Sequence, residues 1–303
     1  MFVYLPIAEM PADALLIVAL SALIGFVSGL VGVGGGFIVT PALIFLGVPP
    51  AVAVATGASQ VTAASASGLI AHLARRAVDL RMGALLTIGG VIGVTVGVWL
   101  FAQLRQEGVV DQLITALYVL LLGAIGLGML LEALTAARQE RRGAKAPKRA
   151  KRSILHALPL RMRFPISGLY ISILPPLGLG AATGMLAALM GVGGGFLLAP
   201  AMIYLLRIPT NVVIGTALLQ VLIVTGLVTF LQSATTQTVD LILATLLIIG
   251  GVIGAPLGAQ YSTRLRATQL RAILAGLLIL TAGKLLFDLT AQPSELYVLE
   301  RAP

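Results

Sequence analysis

Ten apolar runs fill most of the chain, and their lengths constrain the fold more than any other feature. Broken at charges, prolines and glycine clusters, the sequence gives apolar stretches at 12–30, 37–46, 51–73, 80–101 and 109–131. A basic stretch follows, and then come 166–190, 196–206, 211–231, 241–261 and 267–289. A helix rises about 1.5 Å per residue, so a run of about 20 residues matches the ~30 Å hydrocarbon thickness of a bilayer. The run at 37–46 reaches only ~15 Å, half a bilayer. With 58% of 303 residues hydrophobic and 10% charged, there is too little polar surface to clothe a soluble domain. The surplus belongs against lipid, where backbone polar groups must be satisfied within the chain and helices are the expected form. Residues 1–13 lack Lys and Arg and carry Glu9 and Asp13. A secretory signal needs a basic start, so residue 12 onward is expected to be a retained membrane segment.

The runs form two matching sets. Residues 32–42 read GVGGGFIVTPA and residues 191–201 read GVGGGFLLAPA. Downstream, Pro50 matches Pro209, Thr56 matches Thr216, Gln60 matches Gln220 and Asp79 matches Asp240. Gly89-Gly90-Val91-Ile92-Gly93 matches Gly250-Gly251-Val252-Ile253-Gly254, and Gly97 matches Gly258. So many ordered matches at a nearly constant offset mean an internal duplication.

Charge then sets orientation. Basic residues gather at Arg75, Arg76 and Arg81, along the stretch from Arg138 to Arg163, at Arg207, and at Arg264, Arg266 and Arg271. If every run crosses from an outside N-terminus, all of these face the cytoplasm. Of the 20 basic residues only Arg105, Arg301 and Lys284 do not, and Lys284 lies inside the last run, positioned to snorkel. Five passes per half is odd, so the second half is inverted relative to the first. The expected fold is an all-α polytopic membrane protein of two inverted-topology repeats, 12–131 and 166–289, of about five segments each, one segment per repeat being short or discontinuous. A basic cytoplasmic linker at 132–165 joins them, and both termini lie outside, in a bacterial inner membrane. Charge counting leaves open whether the first run and its short partner cross twice or form a re-entrant hairpin, because both return the chain to one side.

Three consecutive glycines before each half-length run point to a helix start open to a ligand. Such a start presents unpaired N–H groups and the positive end of the helix dipole, and glycine lets an anion approach the backbone. The candidate substrate-binding residues there are Gly34, Gly35, Gly36 and Phe37, and Gly193, Gly194, Gly195 and Phe196. A glycine hinge for tight helix packing is the plainer alternative. A P-loop is excluded by the missing Lys-Ser/Thr and strand–turn–helix setting.

A second candidate group is polar and intramembrane. Thr56, Ser59 and Gln60 share one helical face, and Thr216 and Gln220 repeat part of it. Gln60 sits about ten residues from either end of its run, where an amide is costly unless it pairs or lines a wet cavity. One such Gln would be interhelical glue; a symmetric pair favours substrate contact. The prolines Pro41 and Pro200 are expected to kink or end the short helices. Asp79 and Asp240 read as N-caps, and the Gly89/Gly93/Gly97 and Gly250/Gly254/Gly258 ladders as packing faces.

Several functions are excluded. Cysteine is absent, and His72 and His156 show no metal-ligand spacing, so no metal and no cofactor is expected. The net charge of +9 is concentrated in loops as a topology signal, which speaks against nucleic acid as a partner. No nucleophile, carboxylate pair or Ser/His/Asp set falls at membrane depth, so the chain is not expected to be an enzyme.

The doubled GVGGGF[IL]xxPA, the following Thr-x-x-x-Gln and the Gly-Gly-x-Ile-Gly run resemble the TauE/SafE sulfite-exporter family over roughly 12–289. The family motif maps onto 32–41 and 191–200. The resemblance implies a carrier for small sulfur-containing anions: sulfite, sulfonates or sulfoacetate. Ser59, Thr62 and Ser65 are replaced by Leu219, Leu222 and Val224 or Thr225 in the second half, so a lopsided site is expected. The combined expectation is a secondary transporter, an exporter, of a small sulfur oxyanion held at half-helix N-termini near the midplane. Its partners would be that anion and the lipid bilayer. A passive anion channel would use the same residues, and a non-transporting anchor or assembly factor is the third alternative.

Overall fold

The computed structural model describes residues 2–31, 36–141, 160–206, 208, 210–262 and 267–290. Among these, one element series occurs twice: a β-hairpin, a long helix, a half-length helix and three long helices. The first series is β1 (Phe2–Leu5), β2 (Met10–Asp13), α1 (Ala14–Val31), α2 (Gly36–Phe45), α3 (Pro50–Ala74), α4 (Leu80–Gln106) and α5 (Val110–Arg141). The second is β3 (Arg161–Phe164), β4 (Leu169–Ser172), α6 (Leu174–Met190), α7 (Gly195–Tyr204), α8 (Thr210–Thr235), α9 (Leu241–Ser262) and α10 (Ala267–Thr290). Among the described residues, four stretches are long and apolar enough to cross a membrane: Leu80–Gln106, Val110–Leu131, Val212–Thr235 and Leu241–Gly258.

The hairpins were not expected from the sequence. Antiparallel pairing runs Phe2↔Asp13 to Leu5↔Met10, and Arg161↔Ser172 to Phe164↔Leu169. Each turn begins Pro-Ile and ends on a residue in the left-handed region, Glu9 at φ 53° and Gly168 at φ 65°. The apolar run expected at 166–190 is therefore not one helix. Its first residues belong to the second hairpin, and α6 begins only at Leu174, where Pro175 and Pro176 occupy the first helical positions. Proline suits a helix start, where its missing N–H has no partner to lose, and breaks a helix interior. The basic stretch also differs. Residues up to Arg141 continue α5, a run rich in Ala, Leu, Glu, Gln and Arg that favours helix. The stretch 142–159, with His156, lies outside the described residues, as do Arg207, Pro209, Arg264, Arg266 and Arg301.

The helices pack across the two series rather than within them. The most extensive packing is α1 on α9 and its exchanged counterpart α6 on α4, then α5 on α10 and α3 on α8. The glycine ladders make this possible, as their spacing suggests. A methyl placed on Gly93 would sit 2.0 Å from the Ala181 carbonyl oxygen, and one on Gly254 would sit 2.0 Å from that of Ala22. Backbones of α4 and α6, and of α9 and α1, are in direct contact at these points. Pro41 and Pro200 lie inside α2 and α7, which run on past them to Phe45 and Tyr204.

Asp79 caps α4, its carboxylate accepting from the Met82 N–H at 3.2 Å. Asp240 precedes α9 and accepts from the N–H groups of Ile242 and Leu243, both at 3.0 Å. Each carboxylate also holds a hairpin turn of the other series. Asp79 accepts from the N–H (3.0 Å) and hydroxyl (2.7 Å) of Ser167, and Asp240 from the N–H of Ile7 (3.0 Å).

Candidate functional site

The starts of α2 and α7 meet. The Phe37 and Phe196 rings lie 5.9 Å apart between centroids, tilted by 40°. A methyl on Gly36 would sit 2.7 Å from the Val192 carbonyl oxygen and 2.6 Å from a Val61 methyl. Gly34 and Gly35 lie outside the described residues, so of the four candidate binding residues in the first motif only Gly36 and Phe37 are placed, both buried.

The second motif is placed in full. Met190 ends α6, and Gly191 closes it in the left-handed region at φ 67°. Gly193 (φ 72°) and Gly194 (φ 67°) continue the turn, Gly194 being the residue before α7. Leu197 and Leu198 both donate to the Gly194 carbonyl at 3.1 and 2.8 Å, which starts the helix. The N–H groups ahead of them, at Gly195 and Phe196, lie in the first turn of α7, at the positive end of the helix dipole. This turn is wedged between α3 and α8. A methyl on Gly193 would come within 2.9 Å of Val61, Val221 and Thr225 side chains, and one on Gly194 would come 2.8 Å from the Thr183 Cβ. Val61 and Val221 lie near the midpoints of their helices.

The glutamines make the interhelical bonds of the plainer alternative, each to a hydroxyl of a neighbouring helix. Gln60 Nε2 donates to the Ser21 hydroxyl on α1 at 2.8 Å and approaches the Ser21 carbonyl at 3.3 Å. Gln220 Nε2 donates to the Thr183 hydroxyl on α6 at 3.4 Å. Each amide lies on the second glycine of a Gly-Gly pair. A methyl on Gly251 would sit 2.8 Å from Gln60 Cγ, and one on Gly90 would sit 3.0 Å from Gln220 Nε2. The duplicated Gly-Gly was an available signal: the repeat marks both glycines, and the packing ladders take in only the first of each pair.

The hydroxyls on the expected polar face are engaged elsewhere. Thr56 accepts from the Asp240 N–H and Thr216 from the Asp79 N–H, and both threonines are fully buried. Ser59 donates to the Thr56 carbonyl of its own helix at 2.6 Å. The structure thus brings together Gly36, Phe37, Gly193, Gly194, Gly195 and Phe196, with Gln60 and Gln220 one residue from the valines that wall the turn. It places Thr56 and Thr216 one helical turn away, at the caps of α9 and α4. Thr62 and Thr225, polar positions that the sequence already marked in the two halves, bond to each other, Thr62 donating at 2.8 Å where α3 meets α8. One group was missed entirely. The Met190 carbonyl accepts from the buried Tyr118 hydroxyl of α5 and from Thr40 at 3.5 Å. The groups assembled here are uncharged, so any charge they hold is met by backbone and side-chain dipoles.

A family model described as "Sulfite exporter TauE/SafE" matches residues 17–285. A "Probable membrane transporter protein" of Xylella fastidiosa (strain 9a5c) is 33% identical over 249 residues, covering 82% of this chain and 84% of its own. The "Probable membrane transporter protein YjnA" of Bacillus subtilis (strain 168) is 26% identical over 276 residues, 89% of this chain and 98% of its own. The "Probable membrane transporter protein YunE" of the same strain is 24% identical over 283 residues, 90% and 97% respectively. No solved structure matches the chain.

Proposed function

The chain belongs to the sulfite exporter TauE/SafE family and is a membrane transporter, and from that premise we propose that it exports a small sulfur-containing oxyanion such as sulfite, or an organosulfonate such as sulfoacetate, as a secondary transporter. The observation that carries this reading is the meeting of the α2 and α7 starts, Phe37 against Phe196. In the proposed arrangement the two series are inverted repeats in a bacterial inner membrane, with both termini outside and the basic linker in the cytoplasm. Two re-entrant hairpins, α1–α2 from outside and α6–α7 from inside, converge near the midplane. Support for the re-entrant form comes from the turn at Gly193, which packs on Val61 and Val221 at mid-height of α3 and α8 rather than at their ends.

The anion would be bound by N–H groups at Gly193–Phe196, with Gly36 and Phe37 opposite and Gln60 and Gln220 beside them. Backbone dipoles suit this task because they need no counter-charge and a released anion leaves no buried ion behind. Thr56, Ser59 and Thr216 would hold α3 and α8 in place around the site. Alternating exposure would come from movement of one repeat against the other.

The test is flux in proteoliposomes with sulfite, thiosulfate, sulfoacetate and chloride. The proposal expects sulfur-anion flux that saturates and couples to an ion gradient, with chloride excluded. Non-saturating flux of all four would establish a passive anion channel instead.

A further inference from the structure

The two buried glutamines turn their donors outward to neighbouring helices and keep their acceptors. The Ser21 hydroxyl donates its proton to the Leu247 carbonyl. The Thr183 hydroxyl donates to the carbonyls of Leu179 at 2.9 Å and Gly180 at 3.1 Å. A hydroxyl has one proton, so toward glutamine each of these can only accept. That fixes Nε2 as the atom facing Ser21 and Thr183. Flipping either amide would set two acceptors against each other. Oε1 of Gln60 and Oε1 of Gln220 are therefore the remaining amide atoms, and both are buried without a hydrogen-bond partner. The side chains are 2% and 0% exposed.

Their position ties them to the turn. Thr183, the partner of Gln220, is the wall against which Gly194 packs, and Val61, which follows Gln60, touches both Gly36 and Gly193. A bare anion is drawn by the N–H groups of the α7 start and repelled by carbonyl oxygens. An anion that keeps a hydroxyl or a protonated oxygen satisfies both kinds of group at once. An unpaired buried acceptor is costly, and a site built with one discriminates strongly against ligands that cannot donate to it.

We infer that the transported anion carries a hydrogen-bond donor, a protonated oxyanion or a hydroxyl-bearing sulfonate, and that Gln60 and Gln220 read that donor through Oε1. This rests on the transport site proposed above and narrows its substrate class. Ser21 and Thr183 are positioning residues: they fix the amide orientation without touching the ligand.

The test compares 2-hydroxyethanesulfonate with propane-1-sulfonate as inhibitors of sulfite flux through proteoliposomes holding the full chain. The two have equal charge and equal heavy-atom number and differ by a hydroxyl in place of a methyl. The hydroxyl compound is expected to inhibit at a concentration at least about 10-fold lower. The Gln60→Met, Gln220→Met double variant keeps side-chain length without the amide, and should bring that ratio near one. Equal inhibition of the wild type overturns the inference. So does a wild-type ratio of one accompanied by sodium dependence that disappears with the glutamines, which would make the two oxygens cation ligands. Absence of saturable sulfite flux in the wild type would instead sink the transport reading itself. The wild-type ratio needs no variant and stands even if the double variant fails to insert.

Discussion

The backbone N–H of Asp79 donates to the hydroxyl of Thr216 at 3.0 Å, and the same bond recurs from Asp240 to Thr56 at 3.0 Å. Each bond joins the cap of a long helix in one series to the middle helix of the other. The same aspartates hold the opposite hairpin turns through their carboxylates. Two reciprocal ties of this kind explain why the series interlock rather than sit side by side.

Replacing Thr216 with Val keeps the shape and removes the acceptor, leaving a buried N–H unpaired. The expected loss is about 1–3 kcal/mol in thermal unfolding of the purified protein, with the half-saturation of sulfite flux unchanged. A shift in half-saturation at unaltered stability would place the hydroxyl against substrate instead.

Asp79→Ala should cost more. It removes an N-cap, typically worth about 1 kcal/mol, and strands the N–H and hydroxyl of Ser167. The expected total is roughly 2–4 kcal/mol, with the second hairpin becoming open to protease. Limited proteolysis around Arg161 checks this, and an uncleaved hairpin in a stable variant would contradict it.

Much of this architecture was legible in residue order, and what was not has a physical reason. The expected starts at 80, 241 and 267 coincide with α4, α9 and α10, because charge and turn residues there end the apolar periodicity abruptly. Asp79 and Asp240 behave as the caps they resemble. The hairpins were illegible because four-residue strands are too short to show alternation, and 166–172 is apolar enough to extend the following run. The shared Pro-Ile of Pro6-Ile7 and Pro165-Ile166 was the available clue. At the site, the glycine turns and glutamines stood out, but Ser21 and Thr183 did not, since nothing local marks a serine as the partner of an amide 39 residues away. Thr56 and Thr216 share a helical face with the glutamines, and helical periodicity alone cannot tell a cap partner from a ligand contact.

The glycine contacts give a paired contrast. Gly93→Ala would push a methyl to 2.0 Å from the Ala181 carbonyl oxygen, so α4 and α6 must separate, whereas a methyl on Gly178 meets nothing within 4 Å. Gly93→Ala is expected to destabilise by roughly 1–3 kcal/mol, and Gly178→Ala to be neutral or stabilising by up to about 1 kcal/mol. Thermal unfolding of the two variants side by side checks this.

The proposed orientation can be read by labelling, since the chain has no native cysteine. Ser233 and Arg75 are both exposed, near opposite ends of the proposed bundle. Ser233→Cys should react with an impermeant thiol reagent added outside intact cells, and Arg75→Cys only after permeabilisation. Labelling of Arg75→Cys from outside would reverse the proposed topology.

In the proposed mechanism an anion crosses through the backbone turn that starts α7, and Gly194 tests this most directly. Gly194 sits at φ 67° with the Thr183 Cβ 2.8 Å from where its own side chain would begin. Valine there is strained in the backbone and fills the approach to the N–H groups. The measurement is concentration-dependent sulfite flux in proteoliposomes matched for inserted protein, wild type against Gly194→Val. The expected result is saturable flux in the wild type and flux at the level of empty liposomes in the variant. Undiminished flux through Gly194→Val, at equal insertion, would contradict the account.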